Sequence, residues 1–197
     1  MTTTNARGAY AKGRARREQI LTEAVAMFGE TGYHGASLRD LAQRCGISLA
    51  GLLHHVGDKQ SLLLAVLAHR DEVDTADLGS ATGGPGHLHW LVDVVRRNVS
   101  RRGVVELFCV LSAEATAADH PAHDFFVARY ARTVDELTAA LRGSGHPDPA
   151  SAARRLVALM DGLQVQWLLD PSGVDMVAEV EAQVARELSL TGAAEPS

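Results

Sequence analysis

The stretch ASLRDLAQRCGISLAGLLHHVGDK, residues 36–59, holds two short segments of helical periodicity with little more than a glycine between them. In the first, Leu38, Leu41, Ala42 and Cys45 share one face, Ser37 stands at the N-cap position with Asp40 three residues on, and Gly46 is the stop. The second has Ser48 as its cap, Leu52 and Val56 four apart on an inward face, and Gly57 at its end. Upstream, REQILTEAVAMFGETGY (17–33) repeats apolar residues at Ile20, Leu21, Ala24, Val25 and Phe28, which predicts a longer helix closed by Gly29 and Gly32. A longer helix followed by two short ones across a turn of about three residues containing Gly is a helix-turn-helix.

Helical periodicity continues to the end of the chain. DKQSLLLAVLAHRDEVD (58–74) is capped by Asp58 and buries Leu62, Leu63, Val66 and Leu67. After the glycine-rich linker GSATGGPG (79–86) come helices predicted over 87–101, 104–118, 122–142, 149–169 and 173–189. Ser172 is the expected cap of the last, with Asp175 at the capping-box position. The expectation is an all-α chain of about nine helices: a three-helix head over 14–60 (helix-turn-helix about 38–57) and a helical body over 61–191. Residues 1–13 and 192–197 are expected to be flexible.

Charge separates the two parts. The net charge is −5, yet residues 1–60 carry eight basic and five acidic groups, while residues 61–197 carry eleven basic and nineteen acidic ones. A basic head on an acidic body suits a protein that docks one end onto phosphates. No apolar run reaches the ~18 residues of a membrane span. The start lacks the apolar core of a signal peptide, so the cytoplasm is the expected compartment and no membrane partner is expected. Cys45 and Cys109 stand alone, which favours reduced, buried thiols.

Adjacent His54 and His55 admit several readings. On a helix they point about 100° apart, which is poor geometry for clamping one metal ion, and no third ligand lies at suitable spacing. Contact with a phosphate or a DNA groove and a satisfied surface histidine remain open. No metal and no cofactor is expected. Nine histidines make chance pairings with acids easy, but the sequence has no GxSxG, P-loop, HExxH or GxGxxG motif, so an enzyme is not expected.

RREQILTEAVAMFGETGYHGASLRDLAQRCGISLAGLLHHVGDKQSLLLAVL resembles the TetR family of bacterial transcriptional repressors, over residues 14 to 67. The motifs that carry the resemblance are Phe28-x-x-x-Gly32-Tyr33, Ser37, Gly46-Ile47-Ser48, Leu52-x-x-His55-Val56 and Asp58-Lys59. HPAHDFFVARYA (120–131) and MDGLQVQWLLDPSGVDM (160–176) resemble the betaine-regulator type of C-terminal domain. The resemblance implies a ligand-responsive homodimeric repressor on a palindromic double-stranded DNA operator.

In such a motif the second helix enters the major groove. Leu49, Ala50, Gly51 and His54 are then expected to face the groove, with Ser48 and His55 reaching the backbone. Where the family carries Lys, Thr and Tyr, this chain has Leu49, Gly51 and Leu53, which keeps a second reading open: a TetR-like interaction module with lost or weak DNA binding. Lys59, one of two lysines, sits in a helix's first turn where an anion is favoured. Ser37, Arg39, Arg14 and Arg16 are further candidates for phosphate or groove contact.

For a small-molecule effector, the candidate pocket residues are His69, Trp90, Phe108, Cys109, Ser112, Phe126, Tyr130, Gln164 and Trp167, although core packing also explains the aromatics. Glu106, Glu114 and Asp161 are candidate carboxylates for a cationic ligand. Leu156, Met160, Leu163, Trp167, Val177, Val180 and Val184, on the last two long helices, are expected to form the homodimer interface.

Overall fold

A computed structural model describes residues 3–78 and 85–192. Nine α-helices follow in order among them: α1 Thr3–Gly35, α2 Leu38–Arg44, α3 Leu49–Val56, α4 Lys59–Leu78, α5 Pro85–Val99, α6 Arg102–Glu114, α7 His123–Gly143, α8 Pro149–Leu169 and α9 Met176–Ser189. A short 3-10 turn, Leu190–Gly192, ends the described chain. Helix α1 already covers residues 3–13, part of the segment expected to be flexible. Most of the predicted linker, 79–84, and the tail beyond 192 lie outside the described residues.

Local chemistry sets the head's boundaries. The Ser37 hydroxyl accepts the Asp40 N–H at 3.3 Å, and Ser48 accepts the Gly51 N–H at 3.1 Å. The Asp58 carboxylate accepts the Ser61 N–H at 2.7 Å and so caps the first turn of α4, which holds its pKa below the usual carboxylate value. Ile20, Ala24, Phe28, Leu41, Leu52, Leu62 and Leu63 are fully buried between these helices.

The head's core does not end at residue 60. Leu107 and Leu111 of α6, Ala115, Ala122 and Phe126 of α7 belong to the same buried cluster. A second cluster joins α5, α7, α8 and α9 around Leu88, Leu91, Leu137, Leu141, Leu156 and Val180. His146, in the α7–α8 turn, accepts the Asp148 N–H at Nδ1, so Nε2 carries the proton. That Nε2 lies 3.0 Å from the buried carboxylate of Glu187 and ties the turn to α9.

Glycines 29 and 32 do different work from that expected. Gly29 does not close α1; it lies buried inside it, where α6 crosses. A Cβ there would stand 3.2 Å from the Leu107 nitrogen and 3.3 Å from the Gly103 oxygen, so the missing side chain sets the interhelical distance. Gly32 breaks the helix with φ 67 and ψ −177, and the Glu114 carboxylate occupies the space a Cβ would need. That carboxylate accepts the Tyr33 N–H at 2.6 Å.

Two further expectations are corrected. Ser172 does not cap α9: its hydroxyl bonds Asp170, and the Asp175 side chain accepts the Val177 and Ala178 N–H groups instead. Leu156, Leu163, Trp167, Val180 and Val184 are buried in the protomer's own core, at most 7% exposed, and offer nothing to a second copy. Met160 lines a cavity open to solvent, with Val165 at its exposed edge, and Val177 is half-buried against the core. Leu169, at the end of α8, is 83% exposed.

The Gly29 crossing yields a direct test. Gly29→Val should force α1 and α6 apart and lower unfolding free energy by about 1–3 kcal/mol in urea titration, the usual range for overpacking. Gly13→Val, where a new Cβ meets open space, should not.

Candidate nucleic-acid interface and ligand cavity

On α3, the buried Leu52 and Val56 define the inner face, and Leu49 is half-buried against the same core rather than turned outward. The opposite face presents Ala50, Leu53 and His54, all exposed, with Gly51 at its margin. His54 and His55 meet edge to face at 5.8 Å, and the His55 carbonyl accepts the Arg17 guanidinium at 3.2 Å. Ser48 uses its oxygen as the cap acceptor, leaving its proton to donate.

Around this face the cations differ in freedom. Arg14 and Arg39 are exposed. Arg16 is a latch: its guanidinium donates to Gln19 and to the Cys45 carbonyl at 3.1 Å, holding α1 to the turn. Lys59 Nζ donates to the His34 carbonyl at 3.3 Å and stands 4.8 Å from the Tyr33 ring centroid. Its ammonium is therefore aimed by α1 as well as by α4, a positioning that sequence spacing does not reveal. Ser37 is half-buried and its hydroxyl caps α2.

The body contains a cavity of about 420 Å³ between α5, α6, α7 and α8. Among the sequence candidates, Phe108, Cys109, Ser112, Phe126, Tyr130 and Gln164 line it. His69, Trp90 and Trp167 do not: Trp167 packs in the second core under the Arg102 guanidinium, 5.7 Å from its ring, and Trp90 packs against that core. Of the candidate carboxylates only Asp161 reaches the cavity; Glu106 pairs with Arg102 at 2.8 Å and Glu114 holds α1. An adjoining cleft of about 670 Å³ shares Ser112, Tyr130 and Asp161.

The cavity's polar groups sit in tension. Asp161 accepts the Tyr130 hydroxyl at 2.9 Å, and burial raises its pKa against that stabilising bond. Burial, reinforced by the Asp161 charge, pushes Tyr130 up to about 12 and Cys109 up to about 11. Cys109 is thus a neutral thiol, 3.9 Å from the Gln164 carbonyl oxygen. Arg129, which the sequence reading missed, lines the wall with its guanidinium 4.5 Å from the Phe108 centroid. The available signal was a stripe: Phe126, Arg129, Tyr130 and Thr133 on α7, and Val157, Met160, Asp161 and Gln164 on α8, each at helical spacing with polar residues set among apolar ones.

No group of three or more metal-ligating side chains occurs among the described residues, and none of the described helices is long and apolar enough to cross a membrane. The architecture is a capped helix-turn-helix packed onto a helical body that encloses a cavity. The TetR-family regulatory-protein profile matches residues 20–66, and the profile for a tetracyclin repressor-like C-terminal domain matches residues 88–190. The chain belongs to the TetR family of bacterial regulatory proteins.

Over 80 residues it is 40% identical to the HTH-type transcriptional repressor AcnR of Corynebacterium glutamicum, a match covering 41% of this chain and 38% of that protein. The chain thus spans less than half the length of that relative. The fold is that of a transcriptional regulator from Rhodococcus sp. Rha1, with TM-score 0.74, 20% identity and coverage of 88% and 96%. A regulator from Saccharomonospora viridis in complex with choline superposes with TM-score 0.70 at 22% identity, covering 88% and 95%.

Asp161 gives a pH test. A raised folded pKa means that its contribution to stability is present below the unfolded value of about 3.8 and lost as pH rises through the folded value. Asp161→Asn stays neutral and keeps an acceptor for Tyr130. Urea titrations should show the variant gaining on the wild type as pH rises from about 3.8, then levelling. A pH-independent difference would contradict this.

Proposed function

We propose that this chain is a DNA-binding transcriptional repressor of the cytoplasm, with residues 14–60 as its DNA-binding head and residues 61–191 as its ligand-binding and dimerisation body, released from a palindromic operator by a small molecule. The observation that carries the reading is the Ser48-capped α3, which turns Ala50, Leu53 and His54 outward beside a Lys59 ammonium already aimed by Tyr33. The similarity of the head to a known repressor supports the same reading. Arg14, Arg39, Ser48, His55 and Lys59 hold the phosphate backbone and set register, while α3 faces base edges.

A homodimer presents two such helices to successive major grooves, about 34–36 Å apart. The exposed Leu169 on α8 supports pairing through the outer faces of α8 and α9, in an interface on the order of 1,500 Å² in total. The effector is amphipathic. Five valines, Phe108, Phe126 and Met160 supply much of the apolar wall, while Asp161, Tyr130, Gln164 and Arg129 supply its polar anchors. A carboxylate beside aromatic rings, together with the resemblance to betaine-regulator bodies, supports a choline-like cation as the first compound to try.

The lever is α6. Phe108, Cys109 and Ser112 face the cavity, while Gly103, Leu107 and Glu114 of the same helix touch α1. Leu62, Leu63, Val66 and Leu67 of α4 share a buried cluster with Leu107 and Leu111 of α6, so a moving α6 carries α4 with it. A ligand acts only through its differential affinity for the two dimer shapes. A 100-fold loss of operator affinity needs about 2.7 kcal/mol of coupling, and operator must weaken ligand by the same factor.

Selection of duplexes from a random pool, followed by binding across a salt series, tests the reading. Affinity should fall steeply with salt. Lys59→Ala should weaken all duplexes alike and flatten the log–log slope by about one unit. Absence of any salt-dependent duplex binding would favour an interaction module that has lost DNA binding.

A further inference from the structure

The reading helix LAGLLHHV, residues 49–56, contains no Arg, Lys, Asn, Gln, Asp or Glu. The bidentate pairings that usually distinguish guanine from adenine in the major groove are therefore closed to its side chains. Its outward face offers two apolar groups, Ala50 and Leu53, and one imidazole, His54. Leu53 is 39% exposed although both its neighbours in the inward register, Leu52 and Val56, are buried. Among the base-edge groups of the major groove, the one that an apolar side chain matches is the C5-methyl of thymine.

The local backbone permits a deep approach. Ala50 carries a single methyl, and a Cβ added at Gly51 would meet only the Ser48 hydroxyl, at 3.3 Å. Two small residues on the first turn let the helix sit close to the groove floor, bringing the longer Leu53, one turn on, within reach of a base edge.

We propose that Leu53 is a specificity-determining residue that reads thymine through its methyl group, so that each operator half-site carries a thymine under the middle of α3. This rests on the DNA-binding reading above. Ala50 borders the same methyl.

The test uses the full-length protein and the tightest duplex selected from a random pool. Each thymine of the half-site is replaced singly by deoxyuridine, which keeps the base pair and removes only the methyl. At one or two positions per half-site the wild type should bind about fourfold more weakly, the factor corresponding to ~0.8 kcal/mol for one buried methyl-sized group. Leu53→Ala, at an exposed helical position where folding is preserved, should bind thymine and deoxyuridine duplexes alike. Leu53→Met should restore the difference.

Equal wild-type affinity for every deoxyuridine duplex, or a selected half-site without thymine, overturns the proposal while leaving the repressor reading intact. An undiminished penalty in Leu53→Ala assigns the methyl to another residue and overturns it as well. If no duplex binds in a salt-dependent way, both readings fall together.

Discussion

The contact on which the rest of the molecule depends is the crossing of α1 over α6. Gly29 leaves no side chain between the two backbones where they approach, and Leu107 and Leu111 enter the same buried cluster as Phe28 and Leu62. One turn further along, the Glu114 carboxylate fills the space beside Gly32 and takes the Tyr33 N–H. The head is therefore not a separate module on a linker. It shares a core with the body, and close-packed interiors transmit displacement rather than absorb it. A shift of α6 by a fraction of an ångström must either move α1 or open a void.

The Glu114 anchor also brings in His120. Its Nδ1 accepts the Ala122 N–H, so Nε2 carries the proton, and that buried group lies 3.7 Å from Glu114 without a hydrogen bond. Burial pushes the His120 pKa down, with Glu114 opposing. The ring packs edge-on against Tyr33 at 5.1 Å, and Tyr33 in turn carries Lys59. Glu114, His120, Tyr33 and Lys59 thus form a continuous chain of contacts from the end of α6 to the cation beside the recognition helix.

What was legible in the sequence is what is local. Ser37, Ser48, Asp58 and the glycines after each short helix act within three or four residues of themselves, and the caps they predict are the caps observed. Ser172 misled because Asp175 competes three residues later with a carboxylate, the stronger acceptor for two N–H groups. Gly29 reads as a stop in sequence because glycine disfavours helix; only the partner helix reveals that the missing Cβ is the point. Leu156 and Val180 show the same limit, since apolar periodicity marks a buried face without saying whose atoms bury it. The cavity was half legible: α6 contributes as Phe108 and its thiol suggest, but Trp90 and Trp167 turn into the core while Arg129 turns to the wall.

Asp161 is the costly member of that wall. A half-buried carboxylate whose one hydrogen bond comes from Tyr130 is poorly solvated, and burial works against its ionised form. Replacing Asp161 by an apolar residue would relieve the penalty, and the neighbouring Val157 and Met160 show that such residues fit this stripe of α8. The Tyr130 hydroxyl and the Arg129 charge offset part of that penalty, though burial outweighs them. Across the cavity from α8, α6 holds the other wall with Phe108, Cys109 and Ser112. The far side of α6 carries Gly103 and Glu114 against α1, so one helix serves both the cavity wall and the head.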